Sequence, residues 1–250
     1  VLNGLLIGED WENAIKIPLG VVPAGTGNGM VKSLLDSCGE PCAASNATMS
    51  IIRGINYNHT HKSCPGTFLL LFQGLQRIFG LRKYNGSIIF VPASGFESYG
   101  EPIDVEKEDY GYQGPKVDIK SLNWHKINGP FVSIWLHNVP WGGEDTMAAP
   151  DARFSDGCLD LIMIKDCPKL SLLMLMNGLN DGSHVKSPHV SYLKVKAFIL
   201  QPGPRVDDQA KSEEKTLMSY DKPLIKVDQG LATLFASSLD LADLIPIPRD

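Results

Sequence analysis

The sequence predicts an α/β segment followed by a longer strand-rich one, and three observations carry that reading. An apolar run at residues 19–22 passes through Pro23-Ala24-Gly25-Thr26-Gly27-Asn28-Gly29 into a helix-like stretch at 30–35. Helix-like patterning dominates as far as His61. Beyond it, β-branched and aromatic runs recur between Gly, Pro and Asn, with one helical interruption. The expected organisation is a partial α/β domain over residues 1–61 and a β-rich domain over residues 62–250.

Taken in order, residues 9–16 read as a short helix and 19–22 as a strand. A helix then opens at Asn28, a residue type favoured at the N-cap, and another covers 43–53. In the second part, strands are expected at 87–91, 131–136, 159–164, 195–200 and 231–235, each bounded by turn formers. The helix at 169–179 carries Leu172-Leu173-Met174-Leu175-Met176, which reads as core. Asp156-Gly157 reads as a hairpin turn ahead of a strand and not as a catalytic acid. His184 and His189 flank Ser187-Pro188 and read as surface groups or as groups that support a site from behind, without a catalytic role.

Composition narrows the function classes. A chain of 250 residues with 43% hydrophobic and 20% charged side chains is an ordinary soluble polypeptide with one large or two small cores. Its net charge of −5 argues against nucleic-acid binding and against a broadly basic membrane-facing surface. The apolar run at 170–176 is broken by Ser171 and ends at Asn177, so no membrane span is expected. Cys38, Cys42 and Cys64 lie near His59 and His61, but the intervals miss a zinc-finger frame, and the cysteines read as scattered thiols in a reducing compartment. Glu97, Glu101, Asp104, Glu106, Glu108 and Asp109 read as a solvated loop and not as a metal site.

The Gly-rich loop is the candidate site. Glycines at 25, 27 and 29 permit positive φ and let backbone N–H groups approach a ligand, while the helix that follows adds unpaired donors and a positive dipole end. Such a loop can hold a phosphate. It is neither a Walker A loop nor a G-x-G-x-x-G fingerprint. A tight strand-to-helix turn capped by Asn28 is the alternative reading of the same residues.

Residues 23–28, followed by Gly29-Met30-Val31-Lys32-Ser33-Leu34-Leu35, resemble the second nucleotide loop of the diacylglycerol-kinase-type lipid kinases, and most closely that of plant-type sphingosine (long-chain base) kinases. Further matches follow in the same order: Leu75-Gln76-Arg77-Ile78, Tyr84-Asn85-Gly86, Gly95-Phe96-Glu97-Ser98-Tyr99-Gly100, Ala149-Pro150-Asp151-Ala152, Ser155-Asp156-Gly157-Cys158-Leu159-Asp160-Leu161, and Val227-Asp228-Gln229-Gly230. The resemblance implies an α/β plus β-sandwich fold, a partial nucleotide-binding domain followed by a strand-rich lipid-kinase C-terminal domain. It implies ATP and Mg²⁺ as cofactors, with Gly25, Thr26, Gly27 and Asn28 on the nucleotide phosphates. It also implies a sphingoid-base lipid substrate, phosphorylated to its 1-phosphate, and a cytoplasmic chain in peripheral contact with intracellular membranes.

The departures from the family pattern concern chemistry. The family's first acidic loop, (S/G)-G-D-G-(T/L), precedes the helix at which Val1-Leu2-Asn3-Gly4-Leu5 begins. Its W-G…A-D-x-D substrate motif should fall just before Leu75, where Phe68-Leu69-Leu70-Leu71-Phe72-Gln73 stands instead. The D-G-E motif expected between Leu200 and Lys215 is replaced by Gln201-Pro202-Gly203-Pro204-Arg205-Val206-Asp207-Asp208. Phosphoryl transfer needs a phosphate cradle, carboxylate-held Mg²⁺ and a base. The sequence therefore also admits a truncated, catalytically inactive homologue that binds nucleotide or lipid weakly or pairs with a complete kinase.

Overall fold

The computed structural model describes residues 8–25, 27–53, 83–104, 122–154, 156–203, 224–227 and 234. In the first part, α1 (Trp11–Ala14) is a single turn, shorter than expected. Pro18 cannot donate a backbone hydrogen bond and disfavours helical backbone in the residue before it, so the helix ends early. α2 (Gly29–Asp36) starts directly after Asn28. Its Val31 and Leu35, one turn apart, pack with Val21 and with Ala47 of α3 (Ala44–Arg53). The Glu40 N–H returns to the Leu35 carbonyl at 2.8 Å, and Pro41 then bars further helix.

The strand expected at 19–22 is reduced to one parallel bridge, Leu19 to Leu234. Gly20, Val22 and Ala24 are exposed, so the apolar run does not form a buried strand. Leu234 is the described residue of the strand expected at 231–235, and its bridge joins the two ends of the chain.

The strand-rich part forms one seven-stranded sheet. Its strands are β1 (Gly86–Pro92), β2 (Glu101–Ile103), β3 (Trp124–Asn128), β4 (Ser133–His137), β5 (Leu159–Ile164), β6 (Ser191–Pro202) and β7 (Leu224–Lys226). They are ordered β2-β3-β1-β6-β5-β4, all antiparallel, with β7 also paired to β6. β1, β4, β5 and β6 answer to sequence expectations. β2 lies inside the stretch read as a solvated loop, which is corrected at 101–103. It ends the sheet order and contains Pro102, in keeping with the confinement of proline to edge strands.

Both faces of the central strands are covered. Ile88 and Phe90 of β1 cluster with Leu159, Leu161 and Met163 of β5, two strands away, so the sheet curls over this core. Ile89 and Val91 face the other way, toward Trp124, Ala197 and Ile199. On β6 the alternation changes phase. Val91 opposes Ala197 while Pro92 opposes Val195, which leaves Lys196 as an extra residue in a bulge. Leu193 and Val195 before the bulge, and Phe198 after it, therefore join the same cluster.

α4 (Lys169–Asn177) packs Leu175 and Leu172 against Ile164 and Cys167. The core reading of its apolar run holds for that side only, because Leu170 and Met174, at i and i+4, are 75% and 76% exposed.

Candidate nucleotide-phosphate site

The loop before α2 offers backbone donors with little in their way. Asn28 occupies the N-cap position, yet its side chain points back into the loop, where Oδ1 accepts the Gly25 N–H at 3.3 Å. The Asn28 side chain makes no capping bond to the helix start, and the first α-helical bond is donated by Lys32 N–H to the Asn28 carbonyl at 2.8 Å. The N–H groups of Gly29, Met30 and Val31 therefore precede the ladder, at the positive end of the helix dipole. Gly25 and Gly27 are exposed, and a Cβ at either would meet nothing within 4 Å. Gly25, Gly27 and Asn28 thus share one open helix entrance, which suits a phosphate. Thr26, the fourth residue of the set, lies outside the described residues.

One expectation about the glycines is corrected. None of Gly25, Gly27 and Gly29 has positive φ. Gly29 is needed for close approach instead: a Cβ there would lie 2.1 Å from the Trp141 carbonyl oxygen and 2.9 Å from the Gly142 carbonyl carbon. The helix start is pressed against the connection between β4 and β5. The Trp141 N–H donates to Ser33 Oγ at 3.1 Å, and its indole Nε1–H donates to Asp36 Oδ2 at 3.0 Å. Lys32 Nζ sits 4.5 Å from the Trp141 ring centroid and 3.1 Å from Asp36 Oδ1.

Two histidines stand behind this connection. His137 Cε1 would be 3.3 Å from a Cβ on Gly142, and the Trp135 ring lies edge-on to His137 and tilted against His184. His184 is buried, which excludes the surface alternative for it, because its ring is held between backbone carbonyls. Nε2 lies 3.1 Å from the Ala148 carbonyl oxygen and Nδ1 3.3 Å from that of Gly178. Burial holds both imidazoles below their ordinary range; His184 adds to the effect on His137, and the two carbonyls oppose it at His184. Each ring thus binds protons more weakly folded than unfolded. The stability they contribute is present above about pH 6.5 and is lost as pH falls below it. The melting temperature is expected to drop between about pH 7.5 and about pH 5.5, with a shallower drop in His137→Gln; identical slopes for the two proteins would contradict this assignment.

A second polar cluster lies on β5 and β6. Asp160 is 1% exposed and takes the Tyr192 hydroxyl at 2.5 Å and Lys194 Nζ at 3.0 Å. Lys194 also reaches Asp156 at 2.8 Å. Burial pushes the Asp160 carboxyl up, while the Tyr192 hydroxyl and the Lys194 ammonium pull it back. Lys194 keeps its proton more firmly than usual, because its bonds to the two carboxylates outweigh burial. Asp156 also accepts the Cys158 N–H at 2.9 Å across a turn in which Gly157 takes φ 71°. The turn is real, but it is not a two-residue hairpin: of the two antiparallel partners of β5, the one that precedes it in the chain is β4, which ends at His137, and β6 follows it.

Among the described residues, no group of three or more His, Cys, Asp and Glu could hold a metal ion. Cys38, Cys42, Cys158 and Cys167 form no disulfide, and burial pushes the Cys42, Cys158 and Cys167 thiols up, away from the thiolate that would ligate zinc. Cys64, His59 and His61 lie outside the described residues, as do Glu106, Glu108 and Asp109. Sequence reading missed Trp141 and the Asp160 network. Tyr192 and Lys194, two apart on a strand, carried a signal for the network; Trp141 carried none.

The family described as the YegS C-terminal NAD kinase beta sandwich-like domain matches residues 113–218, the stretch that holds β3 to β6. Sphingosine kinase 1 of Arabidopsis thaliana is 49% identical over 94% of this chain, and Sphingosine kinase 2 of the same plant is 46% identical over 94%. The chain spans 60% and 61% of those relatives. Both alignments run over 293 positions, more than the 250 residues of this chain, so the relatives carry interior stretches with no counterpart here. A crystal structure from Bacillus anthracis, provisionally assigned as a diacylglycerol kinase, shares the fold with a TM-score of 0.50 at 14% identity, covering 94% of this chain and 72% of that one. The chain is thus homologous along nearly its whole length to plant proteins named sphingosine kinases, its strand-rich part carries the sandwich-like domain, and it shares the fold of the Bacillus anthracis structure.

Proposed function

We propose that this chain serves the ATP-dependent phosphorylation of a sphingoid base at its primary hydroxyl. The observation that carries the reading is the open helix entrance at Gly25, Gly27 and Asn28, which the Asn28 side chain does not cap, in a chain 49% identical to a plant protein named Sphingosine kinase 1. In this reading Gly25, Thr26, Gly27, Asn28 and the first N–H groups of α2 hold the β and γ phosphates of ATP. Mg²⁺, when bound, would neutralise charge on those phosphates; the described residues offer no group of three or more His, Cys, Asp and Glu to hold it. A lipid substrate implies a cytoplasmic chain in peripheral contact with intracellular membranes; no helix among the described residues is long and apolar enough to cross one.

A second reading, a homologue that holds nucleotide without turnover, is favoured by the interior stretches present in the relatives and missing here. One experiment separates the two. The purified chain is incubated with γ-labelled ATP, Mg²⁺ and a sphingoid base, and MgATP affinity is measured in parallel by calorimetry. Labelled lipid supports the kinase reading. MgATP binding without labelled lipid supports the second, and absence of binding removes both.

A further inference from the structure

We infer that Trp141 is a positioning residue for the phosphate loop, a single residue of the strand-rich part whose backbone and indole together fix the direction of α2 and so the aim of its N-terminal donors. The inference rests on the nucleotide reading above. Gly29, Lys32, Ser33 and Asp36 occupy i, i+3, i+4 and i+7 of α2, one face along its full length, and all four meet Trp141. The Trp141 carbonyl abuts Gly29 at the first turn, and its indole N–H reaches Asp36 at the last. Between them, Ser33 Oγ accepts the Trp141 N–H at 3.1 Å and donates to the Gly29 carbonyl at 2.8 Å, tying the clamp to the helix start. An eight-residue helix has little stability of its own. Its direction is therefore set by what it touches, and a phosphate held by backbone donors is sensitive to small changes in that direction.

The test uses the purified full-length chain, MgATP affinity by calorimetry, and amide hydrogen exchange without nucleotide. Trp141→Phe keeps a ring beneath Lys32 and loses the indole N–H. It is expected to weaken MgATP binding roughly threefold, the scale of one net hydrogen bond, with exchange in β5 and β6 unchanged. Asp36→Ala should weaken binding equally, the double variant should be no worse than either single one, and Asp36→Asn, which keeps an acceptor oxygen, should restore affinity. Trp141→Ala should in addition speed exchange across residues 29–36. Additive losses in the double variant, or unchanged affinity in both Trp141 variants, overturn the inference while leaving the nucleotide reading intact. If the unmodified chain binds no MgATP, the nucleotide reading falls; unchanged exchange of α2 in Trp141→Ala would overturn the clamp independently.

Discussion

Replacing Lys194 with methionine should lower the unfolding free energy by about 3–5 kcal/mol, the usual penalty for leaving a buried charge without its partner. Methionine keeps the apolar stem of the side chain and removes only the ammonium, so packing along β6 is largely retained. What it leaves behind is Asp160, 1% exposed, with the Tyr192 hydroxyl as its remaining strong partner, and Asp156 without its 2.8 Å contact. Burial already pushes the Asp160 carboxyl up, and without Lys194 nothing charged opposes it. The folded value then lies above the unfolded one, near 4. Stability in the variant is accordingly fullest below that unfolded value and is lost as pH rises through the folded one. Urea unfolding should show a larger deficit at about pH 8 than at about pH 5, and adding Asp160→Asn should recover part of it. Equal deficits at both pH values, or no recovery in the double variant, would refute the network as a stabilising unit.

The fold was legible where one physical signal dominated. β5 was bounded correctly because six consecutive apolar or buried residues, Leu159 to Ile164, lie between turn formers and are covered on both faces. α2 was legible because Val31 and Leu35 repeat at helical spacing behind Asn28. β2 and β7 were not, since strands of three residues at the margin of a sheet owe their conformation to a neighbour. The segment at 19–22 misled for the converse reason. Its apolar residues promised a strand, but a strand exists only with partners, and its described pairing is the bridge at Leu19. On β6 the sequence Leu193, Val195, Phe198 breaks the period of two, and only the bulge at Lys196 explains why all three share a core.

The local geometry of the loop was partly legible. The glycines and Asn28 mark an open helix entrance, but the positive φ that glycine permits is shown by none of Gly25, Gly27 and Gly29. The contacts that hold this entrance run from α2 to Trp141, more than a hundred positions away in the chain. No local pattern encodes such a pairing, because an indole on a long connection reads the same whether it faces solvent or a helix. His184 was open between two readings for the same reason: its neighbours Ser187-Pro188 suggest surface, and only the fold shows the carbonyls of Ala148 and Gly178 closing around its ring.

Gly29→Ala is expected to detach α2 from the strand-rich part, whereas Gly25→Ala and Gly27→Ala should leave stability unchanged. The new Cβ at position 29 would stand 2.1 Å from the Trp141 carbonyl oxygen, and both obstacles are backbone, with no flexible side chain to yield. Relief requires the helix or the β4–β5 connection to move, at a cost of about 1–3 kcal/mol or more. The gain in helix propensity from glycine to alanine, about 1 kcal/mol in a helix interior and less at its first residue, does not offset that. The movement would break the Trp141 contacts to Ser33 and Asp36 together. Thermal unfolding should therefore begin earlier, with exchange across residues 29–36 accelerated and β5 and β6 still protected. At positions 25 and 27 a Cβ meets nothing within 4 Å, so any effect there must come from a ligand. A loss of MgATP affinity in those two variants, with an unchanged melting temperature, would make the loop a binding surface. Unchanged affinity in both would reduce Gly25 and Gly27 to turn residues and leave Gly29 with a packing role alone.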